Sequence, residues 1–147
     1  MFCLVYCSVA RKDLKPGDLT KMLEKARRYN KTQGITGCLL YYKGNFIQYL
    51  EGNQVKVLSL FDKITKDKRH HKVQMIAHSE RDSREFENWE MAFEDFYGDN
   101  DQITYLKLLV SSFFDDPEQP SQLHPASIPF WETVNKLLNT NSRPKIG

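Results

Sequence analysis

Two apolar runs of strand length, Ile35 to Tyr42 and Phe46 to Glu51, flank Lys43-Gly44-Asn45, and that short polar connection turns the chain back on itself. An antiparallel hairpin of this kind decides which side chains share a face. Phe46, Gln48 and Leu50 share one. A neutral amide on an otherwise apolar face has to find hydrogen-bond partners, because an unmet buried polar group costs roughly 1–3 kcal/mol. Position 48 therefore calls for a bonded neighbour.

Two other places raise the same requirement. In the first apolar run, Phe2 to Val9, strand alternation puts Leu4, Tyr6 and Ser8 on one side. Leu19, Met22, Leu23 and Ala26 mark the apolar stripe of a helix, and Asn30 falls on it. A phenol and two amides directed inward would suit a flat polar heterocycle. Taken singly, each has an ordinary reading: Tyr6 as a core tyrosine with a satisfied hydroxyl, Gln48 as an amide serving a bulge or sheet edge, Asn30 as a helix C-terminal residue before Gly34.

Lys15-Pro16-Gly17 reads as a turn, and Asp18 as the N-cap of a helix running to about Gln33. A second helix is expected from Gln54 to about Lys66, with Val57, Leu58 and Phe61 at helical spacing. The polar cluster Asp67-Lys68-Arg69-His70-His71 ends it. Val73 to His78 reads as a fourth strand and Trp89 to Phe96 as a fifth. The order β-α-β-β-α-β-β is that of an α+β, ferredoxin-like sandwich with one extra strand, a five-stranded mixed sheet carrying two helices on one face. Beyond Gly98, a third helix is expected over Ile103 to Phe113 and a Pro-punctuated linker after it. A fourth helix starts near a Ser127 cap and directs Trp131, Val134 and Leu138 inward. The organisation is thus a domain over 1–98 and a helical extension over 99–147.

At 147 residues, with 40% hydrophobic content, the chain can bury a substantial core. Its 21 basic and 19 acidic residues are intermixed and give a net charge of +2, so no basic stripe points to nucleic acid. Three cysteines without paired spacing fit a reducing compartment; Cys3 and Cys7, about 13 Å apart at strand rise, cannot bridge. With neither a signal peptide nor a membrane span, a cytoplasmic protein is expected. His70, His71 and His78 lack a metal-ligand spacing, so no metal is expected.

Together these pieces resemble the BLUF family of blue-light sensor domains that use a non-covalent flavin. The matching residues are Tyr6 with Ser8, Asn30 followed by Gly34-Ile35-Thr36-Gly37, Phe46 through Gly52, Asp67-Lys68-Arg69-His70 and Trp89-Glu90-Met91, in order over about the first 95 residues. The resemblance implies FAD as cofactor, with FMN or riboflavin as alternatives. It implies that Tyr6 gives an electron and a proton to the excited flavin, and that the Gln48 amide lies between that phenol and flavin N5 and O4. Asn30 would hold the polar edge of the ring. Ser8, Asp67, Arg69 and His70 would complete the cofactor site, the last two on the ribityl and phosphate side. Trp89 and Met91 would relay the signal.

The function this implies is a photoreceptor, not an enzyme, with a reversible red-shifted state. Oxidised flavin in its excited state accepts one electron readily, and an amide exchanges donor and acceptor when it turns. The chain beyond residue 98 leaves no room for a cyclase, phosphodiesterase or DNA-binding output domain, so a homo-oligomer and a separate protein partner are expected. The apolar residues Phe113, Phe114, Phe130 and Trp131 would cover the open sheet face and contribute to self-association. Two other classes stay open: a flavin-dependent redox enzyme, and an interaction module that has lost its flavin. Arg69 and His70 could equally be a solvated charge run, and Trp89 and Met91 core filling at strand spacing.

Overall fold

The computed structural model describes residues 1–87, 92–94 and 124–140. In chain order the elements are β1 (Phe2–Ala10), α1 (Pro16–Gln33), β2 (Thr36–Tyr42), β3 (Asn45–Gly52), α2 (Gln54–Thr65), β4 (His70–Glu80), β5 (Ala92–Glu94) and α3 (Ile128–Thr140). The strands form one sheet in the order β4-β1-β3-β2-β5. Its first four strands pair antiparallel, and β5 runs parallel to β2. Of the fifth strand expected from Trp89, the structure gives Ala92–Glu94. Trp89, Met91 and the helix expected over Ile103 to Phe113 lie outside the described residues.

The hairpin is tighter than the sequence implies. Asn45 already pairs with Tyr42, so the loop is the two residues Lys43 and Gly44, both at positive φ (46° and 81°). This is the backbone of a two-residue turn whose twist matches that of the strands. The start of α1 also differs from expectation. Lys15, not Asp18, is the N-cap, because Pro16 fits the first helical position with its fixed φ and missing amide hydrogen. Asp18 becomes the third helical residue, and its Oδ2 accepts from the Lys15 amide at 3.1 Å. Strand β4 is longer than the apolar run Val73 to His78. It pairs with β1 from Phe2↔Glu80 to Ala10↔His70, with register shifts between Val5 and Tyr6 and between Cys7 and Val9, the second opposite Lys72, which sits at φ 53°. Backbone pairing at a sheet edge tolerates polar side chains that hydrophobic periodicity cannot register.

Strand alternation divides the core into two layers. Phe2, Leu4, Leu39, Phe46 and Leu50 face α1 and α2, where they meet Leu23 and Val57. Cys3, Val5, Cys38, Leu40, Ile47 and Tyr49 face the other way and meet Phe86, Phe130, Trp131 and Val134. The α3 residues Phe130, Trp131 and Val134 have no exposed surface. Phe130 and Trp131 are thus part of the core on that face of the sheet, while Phe113 and Phe114 lie outside the described residues. The Ser127 hydroxyl accepts from the Phe130 amide at 3.4 Å at the start of α3, where the sequence placed the cap. The three cysteines are free thiols.

Glycine is required at Gly37, where a Cβ would lie 2.0 Å from the Tyr49 carbonyl oxygen. It lets β2 and β3 pair beside the site. At the end of α1, Gly34 takes φ 65° as the left-handed cap, and its amide returns to Lys31 O.

Candidate functional site

A cavity of about 380 Å³ lies between the sheet and the two helices. Small-molecule sites span roughly 300–1,000 Å³. The floor is Tyr6 from β1, Leu39 from β2, and Phe46 and Gln48 from β3. Met22, Leu23, Ala26 and Asn30 form the α1 wall, and Leu60 and Ile64 the α2 wall. Asp67, Arg69 and His70 close one end. The lining is mostly apolar, with neutral polar groups on the floor and the α1 side and with Lys25 and Lys63 among the helix residues.

The Tyr6 hydroxyl donates to Gln48 Oε1 in a short hydrogen bond, across the register pair Tyr6↔Gln48. Both residues are buried, with exposures of 4% and 6%. Burial, and then the negative charge of Asp67, push the Tyr6 phenol well above the ordinary tyrosine value. The phenol is thus held as a donor across the physiological range. Asn30, 1% exposed, brings a second amide to the same cavity. Phe61 and His70 flank the Tyr6 ring, with centroids at 5.6 and 6.3 Å.

The end group is preorganised. Arg69 Nε donates to Asp67 Oδ1 at 2.9 Å, and the Arg69 amide donates to the same oxygen at 2.9 Å. The Arg69 guanidinium holds the Asp67 carboxyl below its usual range, and the carboxylate raises Arg69 in return. His70 Nε2 lies 2.6 Å from the Ile64 carbonyl oxygen, which can only accept, so Nε2 carries a proton. In the neutral ring Nδ1 then accepts from Ser8 Oγ at 2.8 Å. Ser8 is 2% exposed and stands behind His70 instead of lining the cavity.

The structure therefore gathers Tyr6, Asn30, Gln48, Asp67, Arg69 and His70 around one cavity, with Ser8 one residue removed. Sequence reasoning missed Tyr29 and Lys63 at the rim, where Lys63 Nζ donates to the Tyr29 hydroxyl at 2.9 Å. Neither the half-buried Tyr29 nor the exposed Lys63 departs from an ordinary helix surface in sequence. It also missed Glu51, which has no exposed surface. That signal was present, because position 51 shares a strand face with Ile47 and Tyr49. A buried carboxylate there is as anomalous as the amide at position 48.

A largely apolar slot in a ferredoxin-like sandwich, lined by a phenol and two amides, has the chemistry to suit a flat heterocycle with polar edges. The donor set fits a flavin: neutral donors and acceptors for the ring edge, and a basic group at one end. The BLUF family model, described as sensors of blue-light using FAD, matches residues 1–92, and the chain belongs to that family. BLUF domains are sensor modules and not themselves enzymes. The photoactivated adenylate cyclase subunit alpha of Euglena gracilis is 38% identical over 84 residues, which is 57% of this chain and 8% of the relative. The subunit beta of Euglena longa is 40% identical over 67 residues, 46% of this chain and again 8% of the relative. The chain thus spans under a tenth of the length of these relatives.

Among solved structures, a bacterial light-regulated adenylyl cyclase superposes with a TM-score of 0.75 at 29% identity, covering 79% of this chain and 34% of that one. The photo-activated state of BlsA superposes with a TM-score of 0.71 at 28% identity, covering 95% of this chain and 92% of that one. No helix among the described residues is long and apolar enough to cross a membrane.

Proposed function

We propose that this protein is a blue-light photoreceptor that binds FAD in the cavity over β1 and β3 and passes its signal on by protein contacts. The Tyr6–Gln48 hydrogen bond on the cavity floor carries this reading. Bound oxidised flavin supplies an electronically excited one-electron acceptor when it absorbs blue light. Beside such an acceptor Tyr6 would give up an electron and its hydroxyl proton and afterwards take both back, so nothing would be consumed. While Tyr6 is oxidised its hydrogen bond to Gln48 Oε1 is broken, and the amide turns or changes tautomer. Donor and acceptor then stand exchanged at fixed positions. With flavin bound, a stronger hydrogen bond from the Gln48 amide to the ring would lower its excitation energy, and a small red shift that decays in the dark would follow.

Asn30 orients the polar edge of the ring, and the Asp67–Arg69 pair receives the polar side chain of the cofactor. A hydrogen-bond exchange is worth about 1 kcal/mol net. Moving an element from 1:99 to 99:1 takes roughly 5.5 kcal/mol. Light therefore supplies the energy of the signalling state, and Gln48 directs it. We further assign residues 1–98 to the photosensor and 99–147 to the extension that meets a second copy of the chain or a separate partner. Trp89 and Met91 serve as relay residues.

The test is direct. Protein reconstituted with FAD is expected to turn yellow, shift to the red under blue light, return in the dark and show no turnover with a nicotinamide reductant. A colourless preparation after FAD addition, or steady consumption of the reductant, contradicts the reading.

A further inference from the structure

The Glu51 carboxylate, fully buried on the face of the sheet opposite the cavity, gathers four hydrogen bonds. Oε1 accepts from the Tyr49 hydroxyl at 3.2 Å and the Glu85 amide at 2.8 Å. Oε2 accepts from the Thr36 hydroxyl at 3.0 Å and the Phe86 amide at 2.7 Å. Glu85 and Phe86 belong to residues 81–87, which follow β4 without regular structure, so one side chain fastens them to β3. The segment in turn holds α3. Asn135 Nδ2 donates to the Glu85 carbonyl oxygen at 2.6 Å and to Glu85 Oε1 at 3.0 Å. Tyr49 packs beside Trp131 of α3, with ring centroids 5.4 Å apart.

This array begins at the residue next to Gln48. Strand alternation sends the Gln48 side chain into the cavity and the Tyr49 side chain to the opposite face, so a main-chain shift at position 48 moves Tyr49 and Glu51 with it. A purely structural tie could be apolar at no desolvation cost, whereas a buried carboxylate demands every one of its donors. Its hold is therefore sensitive to small displacements of the strand. We propose that Glu51 is a positioning residue that latches Glu85 and Phe86, and through Glu85 the helix α3, to the strand carrying Gln48. The state of the cavity is then read on the far face as a change in that latch. The dark half of this inference stands on the contacts alone; the light half rests on the photoreceptor reading above.

Hydrogen exchange on the full FAD-loaded chain, in the dark and under blue light, tests both halves. In the unaltered protein, amides at 85–86 and in α3 are expected to exchange at rates that differ several-fold between dark and light. Glu51→Gln offers one acceptor oxygen in place of two, so an amide of Glu85 or Phe86 loses its partner. Asn135→Ala cuts the same array at its far end and leaves the shell of Glu51 intact.

Both variants are expected to keep the red shift, to raise dark exchange in α3 by about tenfold, the scale of one lost hydrogen bond, and to lose most of the light-minus-dark difference there. A merely structural role would raise dark exchange and leave that difference in place. The proposal is overturned if α3 exchanges equally in dark and light while the red shift forms, or if a folded variant keeps the unaltered protein's difference. Should Glu51→Gln not fold, Asn135→Ala decides. A missing red shift in the unaltered protein contradicts the photoreceptor reading, and dark exchange in Asn135→Ala still tests the latch.

Discussion

Replacing Tyr6 by phenylalanine removes the donor to Gln48 Oε1 while keeping the ring that packs beside Phe61 and His70. Tyr6→Phe is expected to bind flavin and to lose the reversible red shift, checked by light-minus-dark absorption. Its folded state should lose about 1–3 kcal/mol, since a buried acceptor forfeits its bond. Gln48→Leu strands the Tyr6 hydroxyl instead; it too should keep flavin and lose the shift, and an unaltered difference spectrum in either variant would remove that residue from the account.

The titrating groups give a further expectation. Asp67 is depressed by Arg69, so the stability from this pair is present above the ordinary carboxylate range and is lost as acid protonates the folded carboxyl. Tyr6 is raised by burial, so its contribution is fully present below pH 10 and falls away at higher pH, where the unfolded phenol ionises first. Denaturant midpoints between pH 5 and 9 should therefore change little on account of either group, with losses outside those limits. Tyr6, Asn30 and Gln48 were legible in the sequence because polar side chains at apolar positions betray themselves. The service of Ser8 to His70 was not legible, because it depends on the pairing of β1 with β4.

At the scale of elements, Gly37 is a position where β2 and β3 leave no room for a side chain beside the site. Gly37→Ala would place a methyl 2.0 Å from the Tyr49 carbonyl oxygen, so β2 and β3 must separate. The expected loss is roughly 1–3 kcal/mol or more in a denaturation midpoint, with weaker flavin retention because Leu39 and Gln48 form part of the cavity floor. Unchanged stability would mean that the strands part without cost. The hairpin and both cavity helices were legible because hydrophobic period and turn chemistry agree there. The start of α1 was misplaced by reading Asp18 as a cap when Pro16 had already fixed the first turn. The extent of β4 was hidden because an edge strand is held by backbone bonds, and its polar residues carry no periodic signal.

Across the whole molecule, the sheet is covered on both faces, by α1 and α2 over the cavity and by α3 over the opposite core. Trp131→Ala should cost about 3–5 kcal/mol, because Trp131 is fully buried beside Tyr49 and Phe86 and its Nε1 donates to the Pro125 carbonyl oxygen at 2.8 Å. Equilibrium unfolding followed by tyrosine fluorescence and circular dichroism measures this loss. The inward turn of Trp131 and Val134 was legible from helical spacing, but the carboxylate array joining β3 to α3 required three elements to be in place before Glu51 had partners.

The central claim is that the phenol of Tyr6 and the amide of Gln48 respond together to light absorbed by a bound flavin. The absorption spectrum of FAD-loaded protein, recorded before, during and after blue illumination, tests it most directly. A red shift of the flavin band that reverses in the dark is the expected result, and a bound flavin whose spectrum is the same lit and dark would contradict the claim.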